Sequence, residues 1–199
     1  MFSTQTTHST LVQKTIGINT GYLTNVLLAI VGSLALWASA KISIPFYPVP
    51  MTMQTFVVLM IGMSYGWRLG GATILLYLAE GAIGLPVFSG TPERGIGLAY
   101  MMGPTGGYLV GFVISAVIVG WLAERGWGRN TYTTLAAMAL GTSVIFAAGL
   151  IWLGSVIGWD KPILALGLTP FIFGAALKIA LAAAALPFAW KIVGQTAEK

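Results

Sequence analysis

Long apolar stretches, separated by short polar or Pro- and Gly-rich segments, dominate this 199-residue chain. A helix that crosses the roughly 30 Å hydrocarbon core of a bilayer needs about 20 mainly apolar residues. Six stretches reach or approach that length, and we found no internal repeat. The predicted helices are Tyr22–Ala40, Met53–Tyr65, Leu69–Ile83, Thr105–Ala123, Thr133–Leu153 and Pro170–Val193. The predicted fold class is therefore all-α, an integral membrane bundle of six transmembrane helices.

The second and third stretches are near the lower length limit for crossing a bilayer. The segment before them, residues 41–50, carries three prolines within six residues and cannot be helical. Non-helical backbone at membrane depth is tolerated where it is buried in protein or lines a cavity. We therefore expect this loop to fold into the bundle. We also predict a turn at Gly66-Trp67-Arg68 and an irregular stretch over residues 84–102.

Composition and charge support a membrane protein. Hydrophobic residues make up 57% of the chain and charged residues 8%, whereas soluble domains carry about 25% charged residues. The net charge of +5 comes from scattered single basic residues, which argues against nucleic-acid binding. Cytoplasmic loops of membrane proteins are enriched in Lys and Arg. With both termini inside, the inner segments hold Lys14, Arg68, Arg125, Arg129, Lys191 and Lys199, and the outer segments hold Lys41, Arg94 and Lys161.

This distribution predicts that the N- and C-termini are cytoplasmic. Residues 1–21 form a cytoplasmic tail in this interpretation, because they lack the pattern of a cleaved signal peptide. Residues 22–193 form the transmembrane domain and residues 194–199 a second tail. The sole histidine is His8, and there is no cysteine. The predicted spans hold neither a metal-binding cluster nor a nucleophile–base pair, so we predict neither an enzyme nor a metal or cofactor site.

Two charged residues lie within predicted spans. Lys178 has no acid within four residues on its own helix. Ionisable groups within a membrane are costly and usually face a cavity or a partner, so an anionic ligand is one interpretation. A lysine that reaches the outer interface is the other. Glu80 lies at a similar height, where it could pair with Lys178, bind a ligand or reach interfacial water.

Other candidates lie near the predicted outer side. Arg94 has Glu93 beside it, which favours a solvated loop pair. Thr52 and Gln54 could cap the second span or supply polar groups to a small-molecule site. Aromatic residues there form interfacial belts by default, and a subset could form a pocket wall. The candidates of this kind, with one adjacent serine, are Tyr77, Phe88, Ser89 and Tyr108.

The first span has a small-residue face on which a partner helix could pack. Its members are Ala29, Ser33, Ala35 and Ser39. Such patterns are common by chance, so this signal alone is weak.

Four segments together resemble the BioY family over roughly residues 30–193. They are Pro48-Val-Pro-Met-Thr-Met-Gln-Thr55, Tyr77-Leu-Ala-Glu-Gly-Ala-Ile-Gly-Leu-Pro-Val-Phe88, Gly103-Pro-Thr-Gly-Gly-Tyr-Leu-Val-Gly-Phe112, and Thr169-Pro-Phe-Ile-Phe-Gly174 followed by Lys178. BioY proteins are the biotin-binding S components of energy-coupling factor (ECF) transporters.

The resemblance implies a biotin site near the outer surface, without chemistry on the ligand. It also implies a location in the bacterial cytoplasmic membrane, with a transmembrane coupling subunit and cytoplasmic ATPases as partners. Lys178 matches a lysine that faces the ligand in the family. An acidic residue usually precedes that lysine by three positions, whereas this chain has Ala175. The alternatives are an S component for another small vitamin or a biotin precursor, and a stand-alone secondary carrier.

Overall fold

The fold is a helical bundle with one very short β-ribbon. In the computed structural model, residues 9–16 and 21–196 are described. The helices are α1 (Leu11–Ile16), α2 (Tyr22–Lys41), α3 (Gln54–Ala82), α4 (Gly97–Met101), α5 (Gly106–Ala123), α6 (Thr131–Ile157), α7 (Ile163–Gly167) and α8 (Ile172–Thr196). A 3₁₀ turn, Thr169–Phe171, joins α7 to α8. Strands β1 (Ser43–Ile44) and β2 (Met51–Thr52) pair antiparallel, and Ser43 lies opposite Thr52.

Within residues 9–16 and 21–196, four helical segments are long and apolar enough to cross a membrane. They are Tyr22–Lys41, Gly106–Ala123, Thr131–Ile157 and Ile163–Val193. Each coincides with a predicted span to within a few residues at most boundaries, and the last also takes in α7. The coarse prediction of a mainly helical membrane protein is therefore confirmed.

The predicted second and third spans form one helical hairpin within α3. Gly66 interrupts the helix with φ 83° and ψ 177°, a backbone conformation that is essentially restricted to glycine. In one uninterrupted helix, Gln54 and Tyr77 would lie about 35 Å apart at 1.5 Å per residue. Instead, Gln54 Nε2 donates to Tyr77 Oη at 2.7 Å. The two legs therefore run antiparallel, with the predicted turn at the observed position.

Helix α5 occupies the centre of the bundle, between α3 and α6. A Cβ added at Gly120 would meet the backbone of Trp67 at 2.5 Å, so this glycine permits the close approach of α5 to the Gly66 turn. Glu124 accepts a hydrogen bond from the Trp67 backbone N–H at 3.3 Å. This bond satisfies one of the free donors at the start of the second leg. Helix α2 packs on α3 and helix α8 packs on α6.

Three details differ from the sequence predictions. The stretch predicted to be irregular contains α4, and the predicted N-terminal tail contains α1. Helix α8 continues to Thr196, beyond the predicted end of the last span. Residues 1–8, 17–20 and 197–199, which hold most of the predicted tails, lie outside the described residues, so the proposed tail boundaries stay predictions.

The small residues of α2 do not form one exposed face. Ser33 and Ser39 are buried inside the protein, and Ser33 Oγ donates to Glu80 Oε2. Ala29 is half-buried and Ala35 is exposed. The predicted partner surface is therefore narrower than the motif indicates, because α3 already covers part of it.

Candidate ligand-binding cavity

A cavity opens at the end of the bundle opposite the Gly66 turn. Its empty space, open solvent at the mouth included, measures about 730 Å³. The walls come from the Pro-rich loop, the start of α3, residues 88–89, and parts of α5, α6 and α8. The polar or aromatic residues of the lining are Thr52, Gln54, Thr55, Phe56, Phe88, Ser89, Tyr100, Thr105, Tyr108, Phe112, Thr142, Phe146, Phe171 and Lys178.

Lys178 is the one charged side chain among the described residues that line this cavity. Its Nζ donates to the Thr52 backbone oxygen at 2.5 Å and to Thr55 Oγ1 at 3.0 Å. An ammonium has three N–H donors, so one remains for a ligand. No described carboxylate lies within 4.0 Å of Nζ. The lysine therefore lines a cavity, and its role toward an anionic ligand stays a prediction.

The Pro-rich loop reaches the cavity through its final residues. The Thr52 hydroxyl accepts from the Gln54 N–H at 3.2 Å and donates to Gln54 Oε1 at 3.2 Å. Gln54 Nε2 in turn donates to Tyr77 Oη. Thr52 and Gln54 thus bind each other at the start of α3 and line the cavity. The cap residue of α3 is Met53, without a side-chain cap bond, and the role of Thr52 and Gln54 toward a ligand stays a prediction. Val49 and Pro50 of the loop line the cavity, whereas residues 41–47 are exposed. Only the end of the loop therefore folds into the bundle, and the expectation for the rest of it is wrong.

Tyr77 lies buried next to residues of the cavity wall and is not itself part of the described lining. Its side chain is fully buried and is absent from the described cavity lining. The hydroxyl donates to the Val87 carbonyl at 2.9 Å while it accepts from Gln54. Tyr77 therefore joins two walls of the cavity, and the structure gives it a supporting place and no direct exposure to a ligand.

Phe88 and Ser89 line the cavity from the loop after α3. The Phe88 ring stacks on Tyr100 with ring centroids 5.0 Å apart and meets Tyr77 edge-on at 5.5 Å. Ser89 is 2% exposed, and among the described residues its Oγ is the one buried side-chain polar atom without a hydrogen-bond partner. Because an unpaired buried hydroxyl is costly, Ser89 is a strong candidate for a hydrogen bond to a ligand.

Tyr108 belongs to the part of the cavity wall that α5 forms. Its hydroxyl donates to the Gly167 carbonyl at 2.8 Å, which ties α5 to α7. Its ring meets Phe146 edge-on at 6.4 Å, and Phe146 lies 6.2 Å from Phe171. These rings form an aromatic wall of the cavity, and Phe171 also meets Phe46 of the Pro-rich loop edge-on at 6.1 Å.

Two predicted residues lie apart from the main cavity. Glu80 is absent from the described lining and accepts a hydrogen bond from Ser33, so it neither pairs with Lys178 nor reaches this cavity. Arg94 lines a smaller neighbouring recess, and its Nη1 donates to the Phe46 carbonyl at 3.5 Å. In the structure, the guanidinium therefore holds the Pro-rich loop from outside the cavity.

Several lining residues were not singled out from the sequence. Thr55, Phe112, Phe146 and Phe171 resemble ordinary positions of apolar helices, and their place depends on how α5, α6 and α8 meet. Tyr100 is also among them, and its hydroxyl donates to the Ser89 carbonyl at 2.9 Å. Burial raises the pKa of Tyr100, so its phenol stays protonated and can donate near neutral pH.

The family model of BioY matches residues 5–195 of the chain. The chain belongs to the BioY family. This result confirms the resemblance inferred from the four sequence segments.

Curated relatives of the chain also carry the BioY name. One is the biotin transporter BioY of Rhizobium etli, 39% identical over 168 residues, covering 81% of this chain and 87% of the relative. Another is a probable biotin transporter BioY of Pyrococcus horikoshii, 38% identical over 79% of this chain and 88% of the relative. These relatives are named as transporters, in agreement with the prediction that the chain is not an enzyme.

A solved structure shares the fold. It is the crystal structure of the S-component for biotin from an ECF-type ABC transporter, with a TM-score of 0.69 and 22% sequence identity. The match covers 89% of this chain and 92% of the solved one. At this identity the comparison shows the fold alone.

Proposed function

We propose that this BioY protein captures biotin for uptake, as the S component of an ECF-type transporter in the bacterial cytoplasmic membrane. The observation that carries the proposal is Lys178, which offers a free N–H to a cavity whose described lining contains no acid. The curated relatives are named as transporters of biotin, and the related solved chain is described as an S-component for biotin.

The chemistry of the cavity fits a ligand with polar groups and an apolar ring. Biotin has a carboxylate, a ureido group and a thioether ring. Lys178 can meet an anionic or carbonyl oxygen, and the Ser89 hydroxyl lacks a protein partner. The aromatic walls suit the ring system. Ala175 lies in the lining beside Lys178, so this chain has no acid there to accept ureido N–H groups.

A topology of six spans with both termini inside is part of the proposal. Basic residues gather at the end of the bundle that holds the Gly66 turn. Arg68, Arg125 and Arg129 lie over the rings of tryptophans at 5.0, 3.2 and 4.6 Å, respectively. Arginine is enriched on the cytoplasmic side, and tryptophan is enriched at both membrane interfaces. The cavity would then open to the outside, where a scarce vitamin must be captured.

The proposed partners are a transmembrane coupling subunit and two cytoplasmic ATPases. The chain itself offers binding, so the energy for release would come from ATP hydrolysis in those subunits. Helix α2 is the proposed contact, although its small residues are partly covered by α3. Ala29 and Ala35 remain the accessible members of the predicted face.

Isothermal titration of the purified protein in detergent tests the proposal. We expect saturable binding of biotin, and weaker or absent binding of the precursor dethiobiotin, thiamin and riboflavin. Tighter binding of any competitor would instead identify a different vitamin or a precursor as the ligand. No biotin heat, together with no biotin retained in native mass spectrometry, would refute biotin capture.

Uptake of labelled biotin into proteoliposomes tests the dependence on partners. We expect uptake when the coupling subunit and ATPases are co-reconstituted with ATP, and none with this chain alone. Uptake driven by an ion gradient, in the absence of the ATPases, would support the stand-alone carrier.

A further inference from the structure

The loop after α3, residues 85–91, forms a cavity wall without regular secondary structure. A backbone carbonyl that is buried away from water needs a hydrogen-bond donor. Residues 87–89 and Thr91 are buried, whereas Leu85, Pro86 and Lys41 are exposed. Every carbonyl from 85 to 91 accepts a hydrogen bond within the protein. The Leu85 and Gly90 carbonyls accept from backbone N–H groups at 2.7 and 2.8 Å. The Val87 and Ser89 carbonyls accept from Tyr77 and Tyr100 at 2.9 Å.

The remaining three carbonyls converge on Lys41, and that of Phe88 also accepts from the Thr91 hydroxyl at 2.7 Å. Its Nζ donates to the Pro86 carbonyl at 2.9 Å, the Phe88 carbonyl at 3.2 Å and the Thr91 carbonyl at 3.3 Å, and Thr91 Oγ1 also lies at 3.3 Å. The ammonium has no described carboxylate within 4.0 Å. The ammonium is therefore surrounded by neutral oxygen atoms. Hydrogen bonds from a charged donor to such oxygens are stronger than those from a neutral donor.

Lys41 belongs to a different element from the loop that it binds. It is the last residue of α2, where a positive charge also interacts favourably with the helix C-terminus. We propose that Lys41 is a positioning residue, which holds loop 85–91 so that Phe88 and Ser89 form the cavity wall and which ties that wall to the end of α2. The consequence is that a displacement of the end of α2 would loosen the wall and release a ligand.

The absence of native cysteine allows a ligand-free test. Val87 is 8% exposed, so a Val87→Cys reporter should react slowly with a maleimide in detergent. We expect Lys41→Met and Lys41→Gln to raise its labelling rate about tenfold or more, the factor for one lost charge-assisted hydrogen bond. Lys41→Arg should restore slow labelling. The matched control is Lys161→Met, which breaks the exposed pair with Asp160 and should have no effect.

A second reporter separates local from global opening. Val119, in α5, is fully buried and lies seven residues, about 10 Å, beyond Phe112 of the cavity lining, so Val119→Cys should stay slow in every Lys41 variant. Equal acceleration at both reporters, or no acceleration at Val87→Cys in either neutral variant, would overturn the proposal.

A ligand measurement rests on the proposed function. If biotin binds, Lys41→Met should raise its dissociation rate by about the same factor, and Lys41→Arg should reverse the change. An unchanged dissociation rate in Lys41→Met would contradict the role of the wall in retention. Should the parent chain bind no biotin, biotin capture fails while the labelling result still decides whether Lys41 positions the loop.

Discussion

Replacing Lys178 by methionine removes the ammonium from the cavity while it keeps most of the apolar length of the side chain. The parent Nζ binds the Thr52 carbonyl and Thr55 Oγ1 and retains one N–H for a ligand. The variant loses that donor and the positive charge. Because the described lining holds no other charged group, no neighbour can take over this role.

A hydrogen bond to a charged group contributes about 1.5–3 kcal/mol. Since about 1.4 kcal/mol corresponds to a factor of ten, we expect Lys178→Met to raise the Kd for biotin about 10- to 150-fold. Isothermal titration in detergent measures this change. Lys161→Met removes an exposed lysine that pairs with Asp160 and should leave the Kd unchanged.

A biotin derivative with a neutral amide in place of the carboxylate shows which end of the ligand Lys178 meets. If Lys178 binds the carboxylate, the amide should weaken binding to the parent but not to Lys178→Met. If it binds the ureido group, both proteins should lose the same factor. A Kd for Lys178→Met within about twofold of the parent would refute the assigned role, because even the lower energy above predicts tenfold.

Three further outcomes are expected. Ala175→Asp would add an acceptor beside Lys178 and should tighten biotin binding about tenfold or more; unchanged affinity would show that no ligand N–H points there. Gly66→Ala forces a side chain into a glycine conformation and should destabilise the protein by about 1–3 kcal/mol, seen as a lower apparent Tm, whereas Gly21→Ala, with open space around it, should not. Tyr77→Phe removes a buried hydroxyl with two partners and should lower both the Tm and the biotin affinity; a parent-like Tm would contradict this linking role.

The sequence indicates which residues are candidates for the cavity, but it does not show which of them bind one another. Lys178 is conspicuous because a cation in an apolar helix needs a partner, yet its acceptors lie more than 120 positions away. Glu80 is also a charged residue within a predicted span, but in the folded protein it accepts a hydrogen bond from Ser33 and does not line the cavity. Which of two buried charges serves the cavity depends on helix rotation and packing, which hydropathy does not encode.

Several local features of this protein follow from its sequence alone. The span lengths follow from the thickness of the bilayer, the turn at Gly66 from the freedom of glycine, and the non-helical loop from its prolines. Only the tertiary structure decided that Ser89 lacks a partner, that Lys41 holds the loop beside it, and that Phe146 and Phe171 form a wall. The physical reason is that these contacts join segments distant along the chain, and no local pattern records which surfaces a folded bundle brings together.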